Sequence, residues 1–397
     1  MYELLLSLGR NARKAVHIVS SDTKVEAPNV EDYLIKNVAA IREHALKSGL
    51  PIHVHLVQPE PDESFWFYLI GKGYPPPTRT FRWCTTKMKI KPSRRVIETI
   101  TKESGSVVLL LGTRVSESSH RGQRMDARET NSRGLNPHHE IPNALVFTPI
   151  ADWGTEEVWE YLFSHNPPPW GASHDFMLDL YRQASGGECP VVLDLNTPSC
   201  GGSRFGCWTC TVVKEDKSMK GFLESGEAWM QPLSEFRGKL KIWREQPELR
   251  MKFRRDGSNG PGPFAPEGRK KILTELLETE LKINRQLITD EELEYIQNQW
   301  ATDFGVGLSA KLIAAQYGRY IKATDKVRVM ATKDRELLAE LAGEAELQEQ
   351  WVEDLLYLVE HKYPSLETRG ARPNLVADVK KIVNNAVSQQ DAVDPIS

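Results

Sequence analysis

The sequence predicts an α/β fold with a parallel, doubly wound sheet, followed by a cysteine-rich region and a helical C-terminal region. Strand-like and helix-like segments alternate from residue 15 to residue 162, as in βαβ units with right-handed crossovers. Four of the five cysteines fall between residues 189 and 210, and apolar residues recur at helical spacing after residue 231. We therefore expect an α/β domain, a cysteine-rich region, a helical region and a disordered tail, at 1–165, 166–230, 231–386 and 387–397.

The first elements place polar residues at the end of a strand. Residues 1–8 are an apolar helical segment, and the short apolar strand that follows ends at Ser21, Asp22 and Thr23. Open α/β sheets bind ligands at the carboxyl ends of their strands, so these side chains are candidates for ligand binding.

The next two segments continue the α/β alternation. Residues 30–48 have helical spacing and end at Gly49, and residues 52–58 alternate as a strand does. His53 and His55 are two positions apart and face the same side of that strand. We interpret them as strand-face residues rather than metal ligands.

A second polar cluster follows the apolar run at 106–114, which has the composition of a strand buried on both faces. Guanidinium groups match phosphate oxygens, so the cluster favours a phosphate site. A solvated charge run explains this stretch equally well. Its candidate residues are Arg114, Glu117, Ser118 and Arg121.

The segment at 144–162 predicts a strand, a turn and a helix. Asp152 stands in the turn, and acidic residues follow it in the first turn of the helix. We expect a structural role for Asp152. A further helix is predicted near residues 175–183.

The cysteine-rich region has the spacing of metal ligands. Cys207 and Cys210 form a C-x2-C pair, with Cys200 and Cys189 upstream and glycines between them. A C-x2-C pair lets two sulfur atoms reach one metal across a single turn. Both zinc and an iron–sulfur cluster accept four thiolates, so spacing does not choose between them. Buried small hydrophobic residues are a weaker alternative, and a disulfide is the weakest because we find no secretory signal.

Composition and charge limit the partners. The net charge of −3 argues against general attraction to nucleic acid, but residues 237–271 hold eleven Lys and Arg against four acids. For this basic run we give equal weight to two interpretations, a contact with nucleic acid and a solvated protein surface. No apolar run approaches the roughly 18 to 20 residues that cross a bilayer, so we expect a cytoplasmic protein without membrane contact.

The order of these motifs resembles a known family. SSDT after the first strand, RWCTTKMKIKP, LLLGTRVSESSHRGQR and PIADWGTEEVWEYL together resemble the phosphoadenylylsulfate-reductase-like branch of the adenine nucleotide α-hydrolases. GGECPVV and SCGGSRFGCWTCTVVKEDKSM resemble the C subunits of DNA phosphorothioation systems, the DndC family. The resemblance covers roughly residues 1–225, with weaker motifs beyond.

This resemblance implies an enzyme that cleaves ATP, with Mg²⁺, between the α and β phosphates and holds an iron–sulfur cluster of the 4Fe-4S type. It also implies three kinds of partner: DNA, a cysteine desulfurase and the other phosphorothioation subunits. By position, Ser21, Asp22, Thr23 and Ser118 would contact the nucleotide. The phosphate or substrate side would be lined by Arg114, Glu117, Arg121 and Lys87, with Lys91 as a further cation.

The resemblance also implies a ligand set for the cluster. Cys189, Cys200, Cys207 and Cys210 would be its ligands, and Cys84 is the competing fourth ligand or a thiol that handles sulfur. One family feature is missing: no SGGxDS loop, whose backbone amides bind the pyrophosphate, is present. We expect the fold to lack its first strand and that loop.

Two alternative functions remain open at the level of sequence. The first is a cluster-bearing component that binds DNA or a partner without hydrolysing ATP. The second is another adenylylating enzyme, one that thiolates RNA or reduces activated sulfate. Sulfate reduction requires a thiol near the C-terminus, and no cysteine follows Cys210.

Overall fold

The computed structural model describes residues 1–117, 134–184, 205–255, 257–304, 309–321 and 379–380. The chain divides into two compact units. Unit 1 comprises Met1–Pro59 and Arg79–Gln231, and unit 2 comprises Glu60–Thr78 and Pro232–Ser397. The four regions expected from the sequence stay predictions.

Unit 1 begins with the expected alternation of helices and strands. Helix α1 (Tyr2–Leu8) precedes strand β1 (Val16–Ser21), helix α2 (Pro28–Lys47) and strand β2 (Ile52–Val57). A proline at the start of α2 suits a position whose N–H has no helical partner. β1 and β2 pair in parallel, which confirms the predicted parallel arrangement.

A second group of strands follows helix α3 (Lys91–Ser104). Strand β3 (Val107–Leu110) pairs in parallel with β5 (Ala144–Phe147), and the two-residue β4 (Asn136–Pro137) pairs antiparallel to β5. The described strands therefore form two sheets, β1–β2 and β3–β5–β4, rather than one continuous doubly wound sheet. Helix α3 contacts β1, β2 and β3.

The burial predicted for β3 is wrong. Val108 is 50% exposed and Leu110 is 42% exposed, although the sequence suggested a strand covered on both faces. Val107 and Leu109 on the opposite face are partly buried, so β3 is covered on one face only.

The rest of unit 1 packs through aromatic side chains. Helices α4 (Thr155–Ser164), α5 (Asp175–Ala184) and α6 (Lys217–Glu224) follow the strands. Tyr181 of α5 contacts Trp159 of α4 and Phe205, and Phe205 stacks on Phe222 of α6. This cluster holds Phe205, and with it the start of the described segment that carries Cys207 and Cys210, at the edge of a buried core.

Unit 2 is helical around a buried aromatic segment. The helices described in this part of the chain include α7 (Gln231–Glu245), α8 (Pro266–Ile283), α9 (Asp290–Phe304) and α10 (Ala310–Gln316). Residues 65–70 are at most 5% exposed, and the indole of Trp66 donates a hydrogen bond to the Leu287 carbonyl. The indole of Trp300 donates likewise to the Ile70 carbonyl, so each tryptophan has a polar partner inside the core.

The predicted helices of unit 2 are confirmed where the structure describes them. The helical pattern that we identified at 333–364 lies outside the described residues. Within the described part of the chain, no helix is both long enough and apolar enough to cross a membrane.

Candidate functional site

The loop after β1 is a buried turn fixed by Asp22. The Asp22 N–H donates to the Val57 carbonyl at 2.9 Å, which joins the loop to β2. Its carboxylate accepts from the Lys24 N–H and from the Gln58 amide, both at 2.8 Å. Lys24 has a φ of 63°, a conformation that such an aspartate turn tolerates. Because both oxygens of the fully buried Asp22 carboxylate are engaged, the side chain shapes this loop.

Thr23 links that loop to the cysteine segment. Its hydroxyl donates to Glu26 Oε1 at 2.9 Å and lies 3.5 Å from Cys207 Sγ. Thr23 is fully buried, and the side chain of Glu26 is 12% exposed. The end of the first strand and the C-x2-C motif therefore meet at one hydroxyl group.

Backbone hydrogen bonds join the same two segments. Glu26 and Cys207 form an antiparallel bridge, and the Trp208 N–H donates to the Val25 carbonyl at 3.0 Å. The Cys210 N–H donates to the Cys207 carbonyl at 2.9 Å, which closes the turn between the two thiols. Trp208 is 2% exposed, so its indole anchors the turn in the core.

A third thiol and a cation reach the same place from residues 84–90. Cys84 begins this stretch, and burial together with the negative charge of Cys210 raises the pKa of its thiol. The Lys89 ammonium lies 3.8 Å from the Glu26 carboxylate and is about half exposed. Burial lowers the pKa of Lys89, but the neighbouring Cys207 and Glu26 outweigh this effect, so the pKa is raised.

The environment of Cys207 favours its protonated form. Burial and the neighbouring Glu26 carboxylate raise the pKa of this thiol to about 12, against the opposing effects of Lys89 and the Thr23 hydroxyl. A bound cation would compensate this cost, because thiolates bind soft metals in the deprotonated form.

The chemistry of the donor set fits half of a four-thiolate site. Cys207 and Cys210 supply the two-thiol turn, and Cys84 lies close enough to Cys210 for the charge of Cys210 to raise the pKa of the Cys84 thiol. Within the described ranges, no group of three or more Cys, His, Asp or Glu side chains already has metal-binding geometry. Cys189 and Cys200 lie outside the described residues, so their part of the predicted ligand set is not seen.

The chain matches the phosphoadenosine phosphosulfate reductase domain over residues 3–213. It belongs to this family. The match contains both parallel strand pairs and ends three residues beyond Cys210, so it includes the site described above. Membership confirms the resemblance at the level of this family and of its adenine nucleotide α-hydrolase-like fold.

A comparison with curated proteins adds one relative. The chain is 24% identical to an uncharacterized protein of Methanocaldococcus jannaschii over 248 residues. The aligned region is 61% of this chain and 42% of the relative, so this reductase-family chain spans less than half of that protein's length.

The phosphate-side candidates of the family domain are only partly visible. Arg114 Nη1 donates to the Thr155 hydroxyl at 3.3 Å at the start of α4. Glu117 ends a short 3-10 helix, Val115–Glu117. Ser118 and Arg121 lie outside the described residues. The Ser21 hydroxyl oxygen is buried and has no hydrogen-bond partner among the described residues.

The remaining cations lie on or next to the Cys84 segment. Lys87 is within the π-helical turn Thr85–Ile90, and Lys91 begins α3. Of the residues predicted to form the site, the structure brings Thr23 together with Cys207 and Cys210.

Sequence reasoning missed two members of this cluster, Glu26 and Lys89. The Thr-x-x-Glu spacing of Thr23 and Glu26 is a detectable signal, because a Ser/Thr and a Glu three residues apart often share hydrogen bonds before a helix. Lys89 gave no comparable signal, since it is one of several lysines in a basic segment.

Proposed function

We propose that this protein is a nucleotide-utilising sulfur-transfer enzyme, specifically the ATP pyrophosphatase and sulfurtransferase subunit of DNA backbone phosphorothioation. The contact between Thr23 and Cys207 is the observation that supports it best. A hydroxyl in the loop after the first strand, where such folds bind ligands, touches a thiol of a metal-type motif. That neighbourhood suits chemistry in which sulfur attacks a nucleotide-activated group.

The proposed reaction has two displacements. A non-bridging phosphate oxygen of DNA attacks the α-phosphorus of ATP, forming a P–O bond to AMP and releasing pyrophosphate. A cysteine desulfurase supplies the sulfur as a persulfide, which a thiol or a reduced electron carrier converts to sulfide by a two-electron reduction. The sulfide then attacks the activated DNA phosphorus and forms the P–S bond, and AMP leaves with the former phosphate oxygen. Activation is required because an oxygen leaves a phosphate diester poorly until it becomes part of a good leaving group.

Each predicted residue has a role in this scheme. The loop of Ser21, Asp22 and Thr23, together with Ser118, binds the nucleotide, with Asp22 fixing the turn as its hydrogen bonds indicate. The cations offset the charge of the phosphates and of Mg²⁺-bound pyrophosphate. They are Arg114, Arg121, Lys87 and Lys91, and Glu117 is the predicted acidic residue of the same side.

The proposed cofactor is a 4Fe-4S cluster held by Cys207 and Cys210 with Cys189 and Cys200. Cys84 competes with Cys189 as a ligand or serves as the thiol that receives sulfur, and its position beside Cys210 supports either role. When bound, such a cluster supplies electron transfer or sulfide. The Thr23 hydroxyl would orient the Cys207 sulfur, and Trp208 would exclude water.

Release of pyrophosphate tests the enzymatic part of the proposal. ATP, Mg²⁺ and duplex DNA are incubated with this chain and, in parallel, with a version extended upstream to include an SGGxDS loop. We expect release that depends on DNA, and an Arg114→Ala variant to be slower by about tenfold or more because it loses a phosphate cation. Lys102→Gln, an exposed change elsewhere in unit 1, is the control.

Release from neither protein would contradict ATP hydrolysis and favour the cluster-bearing binding component. Release without DNA dependence would favour another adenylylating sulfur-transfer enzyme. Digested DNA analysed by mass spectrometry for phosphorothioate dinucleotides then distinguishes DNA from other sulfur acceptors.

Metal analysis tests the cofactor separately. Anaerobically purified protein is expected to be brown, with about four iron and four sulfide per chain, as a 4Fe-4S cluster requires. Cys207→Ser should lose most of the iron. Equimolar zinc without visible absorbance would contradict the cluster and leave a zinc site in its place.

The proposed contact with DNA is restricted by the packing of unit 2. Arg237 and Arg269 are buried, and Arg250 binds the carbonyls of Arg244 and Gly262. Lys252 and Arg254 are exposed, so they are better candidates to reach a phosphate backbone.

A salt titration of DNA affinity tests this contact. The double variant Lys252→Gln and Arg254→Gln should weaken binding. It should also reduce the steepness of the plot of log binding constant against log salt concentration by about two, because two phosphate contacts are lost. Lys14→Gln with Lys102→Gln is the matched control, since both residues are exposed in unit 1. An unchanged slope would place the DNA contact elsewhere.

A further inference from the structure

The Glu26 carboxylate lies between the loop after β1 and the thiol motif of Cys207 and Cys210. It is 12% exposed, accepts the Thr23 hydroxyl proton at 2.9 Å, lies 3.8 Å from Lys89 Nζ and lies 4.0 Å from Cys207 Sγ. Its own backbone forms the bridge to Cys207. One residue therefore contacts the loop, the cation and the thiol.

The hydroxyl of Thr23 has one proton to donate. In the structure this proton goes to Glu26, so the Cys207 sulfur faces a hydroxyl lone pair. A metal that binds the Cys207 sulfur would also fix the antiparallel bridge between Cys207 and Glu26. Because Glu26 accepts a hydrogen bond from Thr23, the bound metal would restrain the loop after β1 through that bond.

We propose that Glu26 is a positioning residue that couples the loop at 22–26 to the thiol segment, so that occupation of the thiols orders the loop. This inference rests on the proposed function, in which the loop binds the nucleotide and the thiols form the sulfur centre. Coupling between sites is reciprocal, so nucleotide binding to the loop would also strengthen metal retention by the thiols.

Hydrogen exchange with cadmium as the probe tests the coupling without any need for activity. The reduced full chain is mixed with Cd²⁺, thiolate binding is followed by ultraviolet absorbance, and exchange of the peptide covering residues 22–27 is measured by mass spectrometry. In the parent chain we expect cadmium to slow exchange by about fivefold or more, the low end for coupled sites.

Variants at Glu26 separate coupling from structure. Glu26→Ala should bind cadmium with little slowing of the loop, whereas Glu26→Gln should restore most of the slowing because its amide oxygen still accepts from Thr23. Glu43→Ala, an exposed glutamate on α2, is the control and should behave like the parent.

If Glu26→Ala does not fold, as judged by circular dichroism, Thr23→Val removes the same hydrogen bond. Thr209→Val, whose buried hydroxyl has no partner among the described residues, is its control.

The outcomes are distinct. Cadmium binding with full slowing in Glu26→Ala, or in Thr23→Val where that variant replaces it, would overturn the inference alone. No cadmium–thiolate absorbance in the parent chain would overturn the thiol centre of the proposed function, and the coupling with it.

Discussion

At the scale of single residues, the partners of a charged side chain decide its role more than the local charge density does. Arg269 belongs to a basic run, yet it is 2% exposed and donates to the Phe264 and Gly71 carbonyls and to the Asp303 carboxylate. Its guanidinium also lies over the ring of Phe304. This arginine is therefore part of the core of unit 2.

Removing the partner of Arg269 should destabilise unit 2 strongly. In Asp303→Asn the buried guanidinium loses its countercharge, and we expect the free energy of unfolding to fall by about 3 to 5 kcal/mol, as when buried pairs are broken. Urea unfolding followed by tryptophan fluorescence measures the change. Lys270→Gln removes a more exposed ion pair with Glu267 and should change stability by less than about 1 kcal/mol. Similar effects of the two substitutions would contradict this role.

The histidines of β1 and β2 predict a dependence of stability on pH. His17 Nδ1 lies 3.0 Å from His55 Nε2, and His53 stacks on His17, which confirms that these side chains share a strand face. Burial and the charge of His53 lower the pKa of both His17 and His55. The charge of His55 lowers the pKa of His17 further, and Glu103 opposes this lowering. The charge of Arg42 lowers the pKa of His55 further.

A histidine whose pKa is lowered on folding resists protonation in the folded state. Its contribution to stability is present above the unfolded pKa of about 6.5 and is lost as pH falls through the lower folded value. We therefore expect the free energy of unfolding to decrease from pH 7 to pH 5. His55→Gln should flatten this decrease, and His139→Gln, an exposed histidine, should not. Urea unfolding at several pH values measures the effect, and an equal slope in all three proteins would refute it.

At the scale of elements, the Gly/Pro-rich loop in the basic run is an ordered part of unit 2. Residues 257–268 are rich in Gly and Pro, yet the Gly262 N–H donates to the Met251 carbonyl and the Met251 N–H donates to the Pro263 carbonyl, both at 2.8 Å. Arg250 also donates to the Gly262 carbonyl. The described loop residues therefore pair with the preceding segment.

Gly262 allows this pairing because it lacks a side chain. A Cβ atom there would lie 1.9 Å from the Phe253 carbonyl oxygen, a distance that requires the backbone to move. We expect Gly262→Ala to destabilise the protein by about 2 kcal/mol or more. Gly238→Ala in α7 meets no atom within 4 Å and should stabilise the helix by up to about 1 kcal/mol. Thermal unfolding of both variants checks the contrast, which a stable Gly262→Ala protein would disprove.

At the scale of the whole molecule, we expect the edge strand β3 to be a surface for self-association. Val108 and Leu110 are exposed on one face of a strand that pairs on one side only among the described strands. Apolar edge strands with unpaired backbone groups tend to pair with other chains.

A charge on β3 should reduce self-association. We expect Val108→Lys to lower light scattering at high protein concentration by severalfold, because a lysine on an edge strand opposes pairing. Leu46→Lys is the control, since Leu46 is 82% exposed but lies on α2. If both variants scatter like the parent, β3 is not the associating surface.

The sequence by itself determined the local elements and the family. Apolar periodicity located α2, β2 and the helices of unit 2, and the C-x2-C spacing located the turn between Cys207 and Cys210, because both signals depend on near neighbours in the chain. Only the tertiary structure decided which distant residues meet. Thr23 and Cys207 are 184 positions apart, and Glu26, Cys84 and Lys89 join them through packing that no periodicity encodes. The exposure of β3 was misjudged for the same reason, since apolar composition predicts a strand but the packing of distant residues decides whether both of its faces are covered.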